Sequence, residues 1–197
     1  QAGFGSLLQL TDDFADYFNQ LGVHPSEYWK VCFLWTFLNA QRDSTRWPDF
    51  EAFVAEYRLG FGLSLSSGIA QRFSEAIIAV FRERLDKIEE PIMDEILQTR
   101  PNSEMADWIK CRRKLSMITG KKEDRLYSIK IYTDDPVITA VGHERLIRAS
   151  EVWRGIVEDY KLRAAIARKR QIGTIVIWLG FHFFSILGKT IVPVEKR

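Results

Sequence analysis

Apolar and polar residues follow different rhythms along this chain, and each rhythm predicts an element. Alternation and β-branched runs mark strands at Ser128-Ile129-Lys130-Ile131-Tyr132 and Val137-Ile138-Thr139-Ala140, joined by the turn residues Thr133-Asp134-Asp135-Pro136. An earlier apolar strand, Leu7 to Leu10, runs into Asp12 and Asp13. Tyr28 to Trp35 reads as a further strand, Ala40 to Asp49 as a polar turn with Pro48, and Phe50 to Leu59 as the returning arm of a hairpin. A helical period takes over behind a cap at Ser66 or Ser67: Ile69, Ala70, Phe73, Ala76, Ile77, Val80, Phe81, Leu85 and Ile88 share one face, and Pro91 interrupts the helix. Gln71, Arg72 and Glu75 lie on its other face. A second helix is expected from Glu144 to Tyr160, with Leu146, Ala149, Trp153, Ile156 and Tyr160 as its inner stripe, and the greasy stretch Ile172 to Leu187 favours paired strands. This order predicts one α+β domain over residues 1–197, an antiparallel sheet with helices packed on one face and no internal repeat.

Composition narrows the picture modestly. The 197 residues are 46% hydrophobic and carry 28 Lys+Arg against 26 Asp+Glu, the balance of a globular domain rather than a disordered or strongly basic one. The basic residues do cluster, at Lys110, Arg112, Arg113, Lys114, Lys121 and Lys122 and again at Lys161, Arg163, Arg168, Lys169 and Arg170; each cluster reads either as a nucleic-acid contact or as a solvated face. Cys32 and Cys111 are too few for a disulfide framework or a zinc site, which suggests a reducing, intracellular setting in cytoplasm or nucleus. No basic leader opens the chain, and Ile172 to Leu187 is too short and too interrupted by Thr174, Gly180, His182 and Ser185 to span a bilayer, so no membrane partner is expected.

The candidate chemistry lies in the acids. Asp134 and Asp135 share a hairpin tip, where adjacent carboxylates repel unless a hard divalent cation joins them. If the strand ending at Asp13 lies beside that hairpin, the acids converge, and two ions roughly 3.5–4 Å apart could clamp the attacking and leaving oxygens of an in-line phosphoryl transfer. The plainer readings are ordinary turn chemistry at 134–135 and helix capping by Asp12, Asp13 and Asp16.

Asp13-Phe14-Ala15-Asp16-Tyr17-Phe18-Asn19-Gln20-Leu21-Gly22-Val23-His24-Pro25 resembles the first acidic motif of retrotransposon reverse transcriptases, and Tyr132-Thr133-Asp134-Asp135 resembles their Tyr-x-Asp-Asp box. Between them, Tyr57-Arg58-Leu59-Gly60-Phe61-Gly62-Leu63-Ser64 is similar to the Phe-Gly-Leu that precedes the helix behind the incoming nucleotide. Leu162 to Lys169 is similar to the segment with a lysine near the triphosphate, and Trp178-Leu179-Gly180-Phe181 with Pro193-Val194-Glu195-Lys196 to the primer grip and its downstream flank. The five motifs run in the family's order across almost the whole chain.

The resemblance implies a polymerase palm, a split βαβ with a ferredoxin-like core, acting as an RNA-directed DNA polymerase on an RNA template, a DNA primer and dNTPs. It implies two Mg²⁺ ions, or Mn²⁺, bridged by Asp13 and Asp134, with Asp135 a partial ligand and the Phe14 carbonyl helping to hold the nucleotide-bound ion. Lys169 would protonate or stabilise the pyrophosphate. Asp16, Tyr17, Phe18, Phe61, Gly62 and Gln71 would line the nucleotide, Phe18 as the ring that excludes a 2′-hydroxyl, while Trp178, Leu179 and Gly180 would hold the primer. His24 would be structural. Ser66-Ser67-Gly68-Ile69-Ala70 departs from the family's Asn-Ala-Pro, and about 86–125 is longer than usual, an expected insertion on the outer face. The resemblance also implies a fragment of a polyprotein whose fingers, thumb and RNase H lie elsewhere. The alternatives are an inactive or co-opted palm that binds nucleic acid or protein without catalysis, and a metal-dependent cyclase or nuclease on a palm-like fold, which the primer-grip resemblance disfavours.

Overall fold

The computed structural model describes residues 5–35, 52–60, 65–165, 169–185 and 188–192. The chain divides into two compact units, Gln1–Ala15 with Gln71–Arg197, and Asp16–Ala70. The expected turn at 40–49 lies outside the described residues.

The larger unit is built on a four-stranded antiparallel sheet. Its strands are β1 (Leu7–Thr11), β4 (Tyr127–Tyr132), β5 (Asp135–Val141) and β6 (Gln171–Gly173), in the order β4-β5-β1-β6. Alternation decides which side is buried: Tyr127, Ile129 and Ile131 pair with Ala140, Ile138 and Pro136, and Leu8 and Leu10 continue the same face. That face is covered by α2 (Ser66–Thr99) and α4 (His143–Asp159), since Phe81 of α2 meets Tyr127 edge-on at 6.0 Å and Trp153 of α4 at 6.4 Å. The α+β class and the helix-covered antiparallel sheet are therefore as expected.

In α2 the buried stripe falls at Ser74, Ile77, Phe81, Leu85, Glu89 and Met93, the three-to-four spacing of one helix face. Two of these are polar, and both are matched. Ser74 donates to the Thr133 carbonyl at 2.6 Å, and Glu89 accepts from Arg145 at 2.6 Å and Arg148 at 2.7 Å. The helix does not stop at Pro91 but runs on for 34 residues to Thr99. Proline removes one helical hydrogen bond and crowds the preceding turn, yet packing on both sides outweighs this. Glu89 is locked to α4 just before it, and after it Met93 is buried and Asp94 pairs with Arg113 at 2.8 Å.

Arg113 belongs to α3 (Glu104–Thr119), which Ser103 caps by accepting from the Ala106 N–H at 3.2 Å and Gly120 ends in a left-handed conformation. The stretch expected as an insertion is thus the second half of α2 with α3, and much of its basic cluster pairs locally: Arg113 with Asp94, Lys122 with Glu90, and Arg112 over the Trp108 ring. A second sheet joins β7 (Ile175–Trp178), β8 (Phe181–Phe184) and β9 (Lys189–Ile191) in antiparallel order, as the greasy stretch predicts. Among the described residues, no helix is long and apolar enough to cross a membrane.

The smaller unit holds α1 (Tyr17–Gln20), a 3₁₀ helix over Pro25–Val31, and the hairpin of β2 (Cys32–Trp35) with β3 (Ala52–Ala55). The strand expected from Tyr28 begins only at Cys32. His24 accepts from the Ser26 N–H, and Pro25 sits at the first helical position, so the capped turn overrides the β preference of Tyr28, Trp29 and Val31. His24 is structural, as expected.

Because α2 continues through residue 91, Pro91→Ala should restore a helical bond and raise stability by about 1–3 kcal/mol, read as a higher urea midpoint at unchanged slope.

Candidate functional site

Strand β1 pairs with β5 in a register that sets Thr11 opposite Val137. The pairing carries on past the strand, with the Asp12 N–H donating to the Pro136 carbonyl at 3.2 Å and the Phe14 N–H to the Asp134 carbonyl at 3.0 Å. Asp13 consequently stands opposite Asp135 between two hydrogen-bonded pairs, the position where facing side chains approach most closely. The motif resemblance sets Asp134 against Asp13; the register puts Asp135 there and leaves Asp134 one place out, in the turn. All three acids nevertheless gather at one end of the sheet.

The turn itself is strained. Thr133 has a positive φ of 56°, uncommon for any residue but glycine and more so for a β-branched one. It is gripped from α2: Gln71 accepts from the Thr133 N–H at 3.0 Å and donates to the Ile131 carbonyl at 3.3 Å, while Ser74 holds the Thr133 carbonyl. Gln71, expected to line the nucleotide, has its amide engaged with the hairpin backbone. From the other sheet, Trp178 donates its indole N–H to the Asp135 carbonyl at 2.9 Å. Trp178, Leu179 and Gly180 form the tip of the β7–β8 hairpin, with φ of 52° and 76° at Leu179 and Gly180.

Adjacent acids have different fates because side chains alternate across a strand. Asp12 points to the helix side and is buried, accepting from the Trp153 indole at 3.0 Å, from Arg170 at 2.6 Å and from the Asp13 N–H at 3.1 Å. Asp13 faces the other way and pairs with Lys169. The segment after α4 delivers both basic residues, since it runs beside Phe14, with the Ala15 N–H donating to the Arg163 carbonyl and the Ala165 N–H to the Asp13 carbonyl. The structural acid Asp12 and its partners Trp153 and Arg170 carry no motif that sequence reading could use. A period-two pattern through Leu8, Leu10 and Asp12 is the one available signal.

Burial lifts Asp134 above the ordinary carboxylate range, and the Asp13 charge adds to it, while a backbone hydrogen bond and Lys169 pull the other way. Burial, then the Asp134 and Asp13 charges, push Asp135 up to about 6 despite Lys169. An excess of oxygen anions over cations suits a hard divalent ion such as Mg²⁺ or Mn²⁺. Among the described residues no three His, Cys, Asp or Glu side chains are gathered as a metal-holding group as they stand; Asp13 is engaged by Lys169.

Asp16, Tyr17 and Phe18 belong to the smaller unit. Asp16 holds the N-cap position of α1 in a left-handed conformation without a capping bond from its side chain. Tyr17 is buried and donates to the Ala70 carbonyl at 3.3 Å, and Phe18 lies edge-on to it at 6.3 Å. Phe61 and Gly62 lie outside the described residues, as do Arg168 and 193–196. Compared with protein-family models and with curated proteins, the chain matches none.

This geometry has two measurable outcomes. A folded-state pKa above the unfolded value of about 4 means protonating Asp135 favours folding, so its stabilising effect is full below about pH 4 and disappears as the pH rises through 6. Asp135→Asn should therefore raise the melting temperature at pH 7.5 by about 1–3 °C and flatten the pH dependence of stability between 7 and 5. Gln71→Ala should remove both hydrogen bonds that hold the strained turn and lower stability by about 1–3 kcal/mol, measured by urea unfolding.

Proposed function

We propose that this chain is the palm of a retroelement RNA-directed DNA polymerase, which joins dNTPs to a primer 3′-hydroxyl on an RNA template. The observation that carries the reading is the β1–β5 pairing that sets Asp13 across from Asp135, with Asp134 beside them. The β4-β5-β1-β6 antiparallel sheet, with helices α2 and α3 before the β4–β5 hairpin and α4 after it, supports it, since a split βαβ, ferredoxin-like order is what the resemblance to a palm implies. Fingers, thumb and RNase H of a parent polyprotein would complete the enzyme.

In this reading Mg²⁺, or Mn²⁺ in its place, held by Asp13, Asp134, Asp135 and the Phe14 carbonyl, would supply the charge that acidifies the 3′-hydroxyl and neutralises the triphosphate. The chain's own part is positioning. Gln71 and Ser74 hold the hairpin turn from one side and Trp178 from the other, so the two acids at 134–135 need little reorganisation to act. The resemblance makes Phe18 the ring for the sugar gate, while its neighbour Tyr17 is bonded to Ala70. Lys169, paired with Asp13, is the candidate to meet the departing pyrophosphate. The same ion pair is what favours the second reading, a palm kept for binding alone, because a permanent Lys169–Asp13 pair would close the site.

Primer extension with the fingers and thumb in place decides between them. Asp13→Asn or Asp135→Asn should cut extension by about 100-fold or more, whereas a binding-only palm shows no extension to lose. Phe18→Val should lower the ratio of kcat/KM for dNTP over rNTP while dNTP use persists, since rejecting a hydroxyl by shape needs rigid packing. A shift on Tyr17→Val instead would name the other ring.

A further inference from the structure

Asp12 and Asp13 are neighbours in sequence, and so are their partners Arg170 and Lys169, yet the two ion pairs are built differently. The Asp12 carboxylate is 2% exposed and also bound by the Trp153 indole, so withdrawing Arg170 would strand a buried charge. The Lys169 side chain is 62% exposed and reaches a carboxylate 12% exposed. An ion pair with its cation mostly in water is weak and easily screened. Around it stand Asp134 and Asp135, both raising the charge demand at the same end of the sheet.

We propose that Lys169 is an exchangeable counter-ion of Asp13, occupying the carboxylate until a divalent cation displaces it, after which the freed ammonium transfers to the phosphates of the incoming nucleotide. This rests on the metal-binding reading above. Lysine suits the part better than arginine, being a compact point charge on a flexible stem, with no planar fork to hold two oxygens at once. In the resting state it lessens the repulsion between Asp13 and Asp135 across the strands, and on exchange it meets a polyanion that the same cation has brought in. No bond is made or broken in the exchange; two cations trade places on three carboxylates.

The test is Mn²⁺ binding to the chain, tracked by the electron paramagnetic resonance of free Mn²⁺, first alone and then with dATP. Lys169→Met should bind Mn²⁺ alone about five-fold tighter than wild type, because it removes a competitor and a like charge, and should bind Mn²⁺ with dATP more weakly. Lys130→Met, which removes an exposed lysine from β4, should change neither by as much, separating contact from the general field. In an Asp13→Asn background, Lys169→Met should have no further effect on Mn²⁺ alone. Wild type that binds Mn²⁺ while Lys169→Met binds it no tighter overturns the exchange and leaves the metal site standing. Tighter binding in both arms overturns the transfer to phosphate. If neither wild type nor Lys169→Met binds Mn²⁺, the metal-binding reading falls and the exchange with it.

Discussion

Two backbone hydrogen bonds, Asp12 N–H to Pro136 and Phe14 N–H to Asp134, extend the pairing of β1 and β5 beyond the regular strand, and the acidic end of the sheet depends on them. They bring Asp13 within reach of a hairpin more than a hundred residues away in sequence, and they set it across from Asp135. Like charges directly opposite on neighbouring strands destabilise a sheet. The pairing survives because it is anchored behind the acids by Leu10 against Ile138 and by Asp12 against Trp153 and Arg170, all on the helix-covered side.

The same division of labour runs through the larger unit. Strain and repulsion collect at the hairpin tip, in the positive φ of Thr133 and the raised pKa values of Asp134 and Asp135. Gln9 and Thr11, on the same strand face as Asp13, each carry a buried side-chain oxygen without a hydrogen-bond partner among the described residues. Compensation lies at the far end of the helices, where Glu89 joins Arg145 and Arg148, and Asp86 joins Arg125 and Tyr127. A site under tension is held by a scaffold that is well satisfied elsewhere, a common arrangement where geometry must be preset.

Elements with a clean period are legible in the sequence: the β4–β5 hairpin, α4 and the strands after Gln171 stand where alternation or helical spacing puts them. Two elements depart from their local pattern for identifiable reasons. Tyr28 to Val31 carries β-forming side chains but comes after a His-capped turn with Pro25, and Pro91 breaks a pattern that tertiary anchors on both sides sustain. At the site, the convergence of Asp13 with the hairpin acids is readable from motif order. Which acid faces which is not, because a register is set by pairing over the whole strand and not by the doublet itself. The engagement of Gln71 with the hairpin, and the burial of Asp12, depend on helix placement that no short window of sequence contains.

Both acidic sites in this chain are doublets, Asp12-Asp13 and Asp134-Asp135, and β1 presents its residues alternately to two sides. A slip of β1 by one residue would therefore still offer a carboxylate at each place, with Asp12 and Asp13 exchanging duties. Such a misfold would keep every charge near its mark and would be invisible to a search for missing functional groups. What excludes it is apolar: Leu8 and Leu10 would leave the helix side and Gln9 and Thr11 would enter it. Leu8 and Leu10 thus act as the proofreaders of the register that sets Asp13 across from Asp135. Insertions or deletions within Leu7–Thr11 would be more harmful than most point changes there, since they rewrite which aspartate is buried against Trp153 and Arg170 and which stands across from Asp135.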